Sequence, residues 1–572
     1  MKQRILKLTL ITLFAAIMVR LNPIAWASDE ELTSGSSEPP LKCEDDQATR
    51  VLKLGFSLQK DHNSEGALEN YRKCLQIEPK CVACLYEGGW SLWKKGEWQQ
   101  VIVHWEQALL LEPKHPLIPQ YLPTAKENLK IVEAKNKVET FRSKTNILSQ
   151  SEPKDAPVVI NFVARRQAYN PTTSNPLDQF DTDIDSPKSA SFNPDGSLVY
   201  VNSLEGAKTV VFKSLGLEKN GVISHEFQGD EGFFEKKAPF DYKYPPKNKQ
   251  PNKFIGKPVE SVLTHQGKFL WVTYYRRNYD EHGRWPSAMA LIDTKTNKIL
   301  RVFGTGPIAK YIQVSPDNST LAVSNWGDNT VGIYDISGDD PKKFKPLKNL
   351  IVQAKLPSTE MVGNRDKNCG FCVRGLAFSK DSRYLFVARM RKGGIAIFDL
   401  KNRTKATYLG TVFGIHPGTR DLQMSPDGMY LYAGCNSSGY LAKIPIGPFL
   451  SLVKDRVGAV VNLVDNKIGF KKVFAGLGVR SMKITPEGDY LFVAVNQGSE
   501  LQVYDTSSMK RVAAIPVDSY PVGLALSPDG TQIWVTSQGR GLKGGNSVGI
   551  FQVEYKLKEN VSVSKDPRLK SD

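Results

Sequence analysis

VSPDNSTLAVSNWGDNTVGIYDIS, residues 314–337, holds two short β-rich runs, LAVS and VGIYD, each preceded by turn residues. Asp-Asn and Gly-Asp-Asn tolerate the backbone conformations of tight hairpins, so the segment reads as turn, strand, turn, strand. The unit recurs as FNPDGSLVYVNS (192–203), LTHQGKFLWVTYY (263–275), FSKDSRYLFVARMRKGGIAIFDL (378–400), MSPDGMYLYAGCNSSGYLAKIPI (424–446), ITPEGDYLFVAVNQGSELQVYDTSS (484–508) and LSPDGTQIWVTSQGRG (526–541). Seven copies at intervals of about 40 to 70 residues, each with room for about four strands, predict a seven-bladed β-propeller over residues 157–556. The strand PVVINFV (157–163) precedes the first full unit. It is expected to supply the outer strand of the last blade and so remove the free sheet edge.

The units resemble the YVTN-type β-propeller repeats of bacterial and archaeal envelope proteins. That resemblance implies a ring of blades with loops at two faces of a central channel. It also implies two alternative activities: propellers of this kind resemble lactonases, and the haem- or copper-bearing domains of respiratory enzymes.

Working outward, a polar linker (146–156) separates the propeller from a helical region at 46–145. There LGFSLQKDHNSEGALENYRKCLQIEP and GGWSLWKKGEWQQVIVHWEQALLLEP repeat with a period of 34 residues. Gly55 aligns with Gly89, Ala67 with Val101, Tyr71 with Trp105, and Pro79 with Pro113. Small residues let antiparallel helices approach, and proline stops the second helix of each pair. The pattern resembles the tetratricopeptide repeat, with Thr124–Ser143 as a capping helix. Tyr86, Trp90 and Trp93 share one helical face. In this repeat family that face lines a concave groove, so they are candidate protein-docking residues; burial against the capping helix is the alternative. The fold class is thus multi-domain: a short α-helical repeat, then an all-β propeller.

The first 27 residues read as a signal segment: basic MKQRILK, apolar LTLITLFAAIMV, then Ala25-Trp26-Ala27 as a cleavage site. Residues 28–45 read as a linker and 557–572 as a tail. Loss of Lys2, Arg4, Lys7 and Arg20 takes the formal charge from +17 to +13, which favours anionic partners. Location is expected in the periplasm, at the outer surface or in the medium of a bacterium, with a protein partner or an anionic envelope or extracellular ligand. No specific nucleic-acid binding and no later membrane span are expected.

Export makes disulfides the expected state of Cys43, Cys74, Cys81, Cys84, Cys369 and Cys372, leaving Cys435 over. Four thiolates holding zinc is the alternative for the first four. Cys369-Gly370-Phe371-Cys372 has the form of a thiol redox site, but its flanks carry no helix start to depress a thiol pKa. It is expected to be a strap over the channel.

The residues seven positions before each turn Asp-like residue are Lys188, Val259, Lys310, Arg374, Arg420, Arg480 and Val522. Five are basic, where random placement gives about one. They stand at the mouths of inner strands, so the fold should gather them into an anion-binding ring. Arg276, Arg277 and Trp285 lie in a connection expected at the same face. The acidic run Asp178, Asp181, Asp183, Asp185 could neutralise the ring, or hold calcium, although it lacks the EF-hand glycine and glutamate. No catalytic set is legible. His282 and His416 are too few for copper, no CxxCH exists for haem, and only Glu260, Asp421 and Asp280 offer acid–base chemistry. The expected function is therefore binding, with a lactonase-like hydrolase, a redox enzyme or a pure assembly scaffold as alternatives.

Overall fold

The computed structural model describes residues 41–61, 63–141, 149–228, 237–244, 253–278, 280–357, 364–455, 457–463, 468–539 and 545–556, of which 64, 131–141 and 253 by backbone only. The residues read from the sequence as a signal segment (1–27) and as a tail (557–572) lie outside the described residues. The chain divides into two compact units at Glu133 and Ala134. Among the described residues no helix is long and apolar enough to cross a membrane.

The first unit is built from α1 (Asp46–Lys60), α2 (Ser64–Ile77), α3 (Val82–Lys95), α4 (Trp98–Leu111) and the start of α5 (Ile118–Phe141). Asp45 caps α1 by accepting from Ala48 N at 2.8 Å. Gly96, in the left-handed conformation, ends α3. α2 and α4 stop two residues before Pro79 and Pro113. The repeat's glycines mark close helix contacts. A Cβ on Gly55 would sit 2.8 Å from the Tyr71 ring, and one on Gly89 2.0 Å from that of Trp105. The small–aromatic pairing read from the sequence is thus the packing contact between the helices of each pair. Two disulfides, Cys43–Cys81 and Cys74–Cys84, close the start of the unit.

The second unit is a propeller of seven blades. Six four-stranded antiparallel blades begin at Pro187, Pro258, Ala309, Val373, Thr419 and Val479. The last combines Pro521–Leu526, Gln532–Ser537 and Ser547–Tyr555 with the unit's first strand, Val158–Gln167. That strand pairs antiparallel from Val158 opposite Tyr555 to Gln167 opposite Ser547. The ring is therefore closed by the segment expected from the sequence. Short parallel strands flank two blades, at Asp178–Phe180 and Ala459–Asn462.

The turns that carry serine two residues before aspartate are explained by hydrogen bonding. In four of them the serine hydroxyl donates to the aspartate two residues on, at 2.5 Å: Ser315–Asp317, Ser379–Asp381, Ser425–Asp427 and Ser527–Asp529. Each serine oxygen also accepts the amide five residues on, at 2.8–3.0 Å. The motif thus satisfies polar groups where the first two strands of a blade join. Apolar side chains of neighbouring blades, such as Trp271 and Trp534, fill the space between sheets.

Candidate functional site

Each of the seven aligned positions is the second residue of its blade's innermost strand. The ladder with the second strand skips that residue in every blade: Lys188, Val259, Lys310, Arg374, Arg420, Arg480 and Val522 all fall at a register shift. A bulge leaves its extra residue outside the ladder and re-aims its side chain. Seven bulges at equivalent places thus set seven side chains around one end of the channel.

The five cations act on one another. Burial first, and then the charges of Arg480, Lys310, Arg420 and Arg374, hold Lys188 well below the usual lysine range. Burial, then Arg374 and Arg480, push Arg420 down. Lys310 is lowered to about 7, chiefly by burial, against the pull of Asp366.

Three carboxylates answer them. Arg374, 1% exposed, donates from Nη2 to Glu260 Oε1 at 2.6 Å; the pair joins the second and fourth blades past the third. Lys310 lies 3.3 Å from Asp366 and over the rings of Tyr275 (4.0 Å) and Trp326 (5.2 Å). Asp421 is buried and accepts Met482 N from the next blade at 2.8 Å. Among the described residues neither Lys188 nor Arg420 pairs with a carboxylate. Lys188 Nζ reaches Gln538 Oε1 at 3.4 Å, and Arg420 Nη1 reaches the Met390 sulfur at 3.1 Å. Among the described residues the buried Nε atoms of Arg374 and Arg420 meet no hydrogen-bond acceptor.

The acidic run does not turn to the ring. Asp178 binds Arg165 at 2.5 Å, Asp181 binds Lys219 at 2.6 Å, and Asp183 binds Lys208 and Lys219 at 2.6 and 2.7 Å. Asp185 donates its amide to Ser203 Oγ. Arg277 is buried beneath Tyr244 and Phe254 and donates Nε–H to Pro286 O. Arg276 bonds the Glu281 carbonyl. Asp280 caps the same loop by accepting from Arg284 N and Trp285 N; Trp285 is half-buried there. His416 stacks on Tyr440 at 4.1 Å, and His282 O accepts Arg365 N.

Cys369 and Cys372 are bridged and 1% exposed. Their turn is fixed on two sides. Phe371 N donates to Asn329 Oδ1 at 2.7 Å, and the carbonyls of Phe371 and Cys372 accept from Arg391 N and Met390 N. Phe371 itself lies 3.8 Å over Arg389.

In the helical unit Tyr86 is buried, and its ring lies 4.7 Å from that of His115. Trp90 and Trp93 are half-buried, packed against Trp105, Trp98 and Tyr121 of α4 and α5.

Sequence reasoning found the ring positions but not the aromatic lining: Tyr311 against Arg374, Tyr520 against Arg480, and Tyr275 and Trp326 against Lys310. Tyr311, like Glu260 and Asp421, directly follows a ring position, and that spacing is the signal that could have marked it.

No family model matches the chain. It is 25% identical over 233 residues to Protein NirF of Pseudomonas aeruginosa, covering 39% of this chain and 51% of that protein. The chain thus spans about half of that relative's length. Among solved structures it is similar to the hydrazine synthase of Kuenenia stuttgartiensis, at 15% identity and a TM-score of 0.44, over 68% of this chain and 100% of that one. It is likewise similar to the Cps50 (Swd1) β-propeller domain of Myceliophteria thermophila, at 12% identity and a TM-score of 0.44, over 64% and 97%. No functional property follows from likenesses of this size.

Proposed function

We propose that this is an exported binding protein whose propeller takes an anionic ligand within the ring of Lys188, Lys310, Arg374, Arg420 and Arg480. The observation that carries this reading is the excess of buried positive charge. Among the described residues Lys188 and Arg420 pair with no carboxylate, and the Nε–H groups of Arg374 and Arg420 point at no acceptor. Such an arrangement is costly unless an anion fills it. A carboxylate, phosphate or sulfate would accept from the guanidinium edges in the forked geometry that arginine favours. Tyr311 and Tyr520 would pack the uncharged part of the ligand. The helical unit, with its 34-residue period and glycine–aromatic packing, fits a tetratricopeptide-like module that docks protein. Disulfides are compatible with export.

The test is calorimetric titration of residues 28–572 with mono-, di- and tricarboxylates, phosphate, and sulfated and carboxylated polysaccharides. Saturable binding lost in the Arg374→Ala/Arg420→Ala/Arg480→Ala variant supports the reading. Binding indifferent to that variant overturns it.

A second reading has one observation in its favour. Asp421 is buried and Glu260 half-buried, the two carboxylates act on each other, and desolvation raises both above the usual carboxylate range. A raised carboxyl can serve as a general acid. Hydrolysis of a lactone panel that disappears in Glu260→Gln would favour an enzyme.

A further inference from the structure

The strongest unassigned chemistry lies in the helical unit. Cys43 comes from the segment before α1, Cys74 from the last turn of α2, and Cys81 and Cys84 from the start of α3. Their four sulfurs lie within 4.8 Å of one another. The two bridges do not stand apart as separate staples. Cys43 Sγ is 3.6 Å from Cys74 Sγ and 3.7 Å from Cys84 Sγ, across the gap between them. A zinc ion bound by four thiolates at about 2.3 Å sets its sulfurs ~3.8 Å apart at the corners of a tetrahedron. Both of these separations from Cys43 are close to that edge, and the other cross-bridge pairs lie within 4.8 Å.

We propose that, when reduced, these four cysteines form a closed tetrahedral site for one zinc-like divalent cation, so that the unit can be held either by two disulfides or by one metal. The ligand spacing suits this. Cys81-x-x-Cys84 brackets the N-terminus of a 14-residue helix, where the helix dipole and free amides favour thiolate. Cys81 is the cap residue of that helix and its side chain makes no capping hydrogen bond. The surroundings are apolar, with Ala48, Leu52, Ala67 and Tyr71 packed around the sulfurs. They offer no fifth ligand, as befits a structural rather than a catalytic site.

The chemistry balances with a dithiol as reductant. Each disulfide accepts two electrons and two protons, and each dithiol leaves as its own disulfide. The four resulting thiols then release four protons to solvent as the cation binds. A small disulfide as oxidant reverses the sequence: two such disulfides take two electrons each from the four thiolates and two protons each from solvent, leave as dithiols, and the metal is released.

The test uses residues 28–572 kept under a phosphine reductant and titrated anaerobically with cobalt(II), then with zinc. The expected result is one cobalt per chain with the intense absorption of tetrahedral thiolate coordination, displaced by one equivalent of zinc and released on reoxidation. Cys369→Ser/Cys372→Ser should still bind one cobalt, and Cys81→Ser/Cys84→Ser none. Because the latter variant could fail to fold, X-ray absorption of the zinc-loaded unaltered chain is the second measurement; four sulfurs at about 2.3 Å are expected. Absence of the thiolate bands in the reduced chain, cobalt retained by Cys81→Ser/Cys84→Ser, or a zinc shell with fewer than three sulfurs would overturn the proposal.

Discussion

At the scale of the residue, the ring is a problem of charge burial. Arg374 and Glu260 form a buried pair, 2% and 16% exposed in their side chains. Removing one member leaves the other charged and without its partner, which costs about 3–5 kcal/mol, whereas replacing both by neutral groups of similar size is close to neutral. Arg374→Met should therefore lose stability of that order in urea unfolding, and Arg374→Met/Glu260→Gln should recover most of it.

Lys310 gives a pH signature. Its folded-state value of about 7 lies below the unfolded lysine value of about 10.4. Between those limits the unfolded chain binds more protons, so this group makes stability rise with pH from about 7 to about 10. An anion in the ring favours charged Lys310, so binding near pH 7.5 should take up a proton. Calorimetry in buffers of different ionisation enthalpy would read that uptake, and Lys310→Met should remove it.

At the scale of the element, the question posed by Cys-Gly-Phe-Cys is answered by its surroundings. The turn leads into a strand, not a helix, and its sulfurs are buried. It carries Phe371, whose ring lies 3.8 Å from the Arg389 guanidinium, a group that burial lowers to about 10. A bridge across so short a loop is worth about 2 kcal/mol by chain entropy. Cys369→Ser/Cys372→Ser should lose about that much and weaken anion binding, since Arg374 is the second residue of the strand that follows. Equal affinity with and without the bridge would show that the strap is independent of the ring.

At the scale of the whole molecule, closure of the propeller rests on its first strand. Val158 and Ile160 are wholly buried against Phe551 and Val553. Ile160→Ala should cost about 2–5 kcal/mol, and because the strand joins the first and last parts of the unit, thermal unfolding should remain a single transition at lower temperature. A separate early transition confined to the last blade would show instead that the ring tolerates an open edge.

How much was legible follows from the range of each interaction. Hairpin turns, strand alternation and the 34-residue helical period are local, so the repeats, the blade count and the closing strand could be read in order along the chain. The ring positions were legible because repetition converts equal spacing into equal places around an axis. The partners were not. Arg374 meets Glu260 across 114 residues, the bulges that aim the ring follow from pairing between strands, and the acidic run turned to Arg165, Lys208 and Lys219 instead of the channel. Sequence alone determined which chemistry each blade carries, because propensity and spacing are properties of neighbours. Only the tertiary structure decided which charges face one another, because electrostatic and packing energies depend on distances that the closed ring creates.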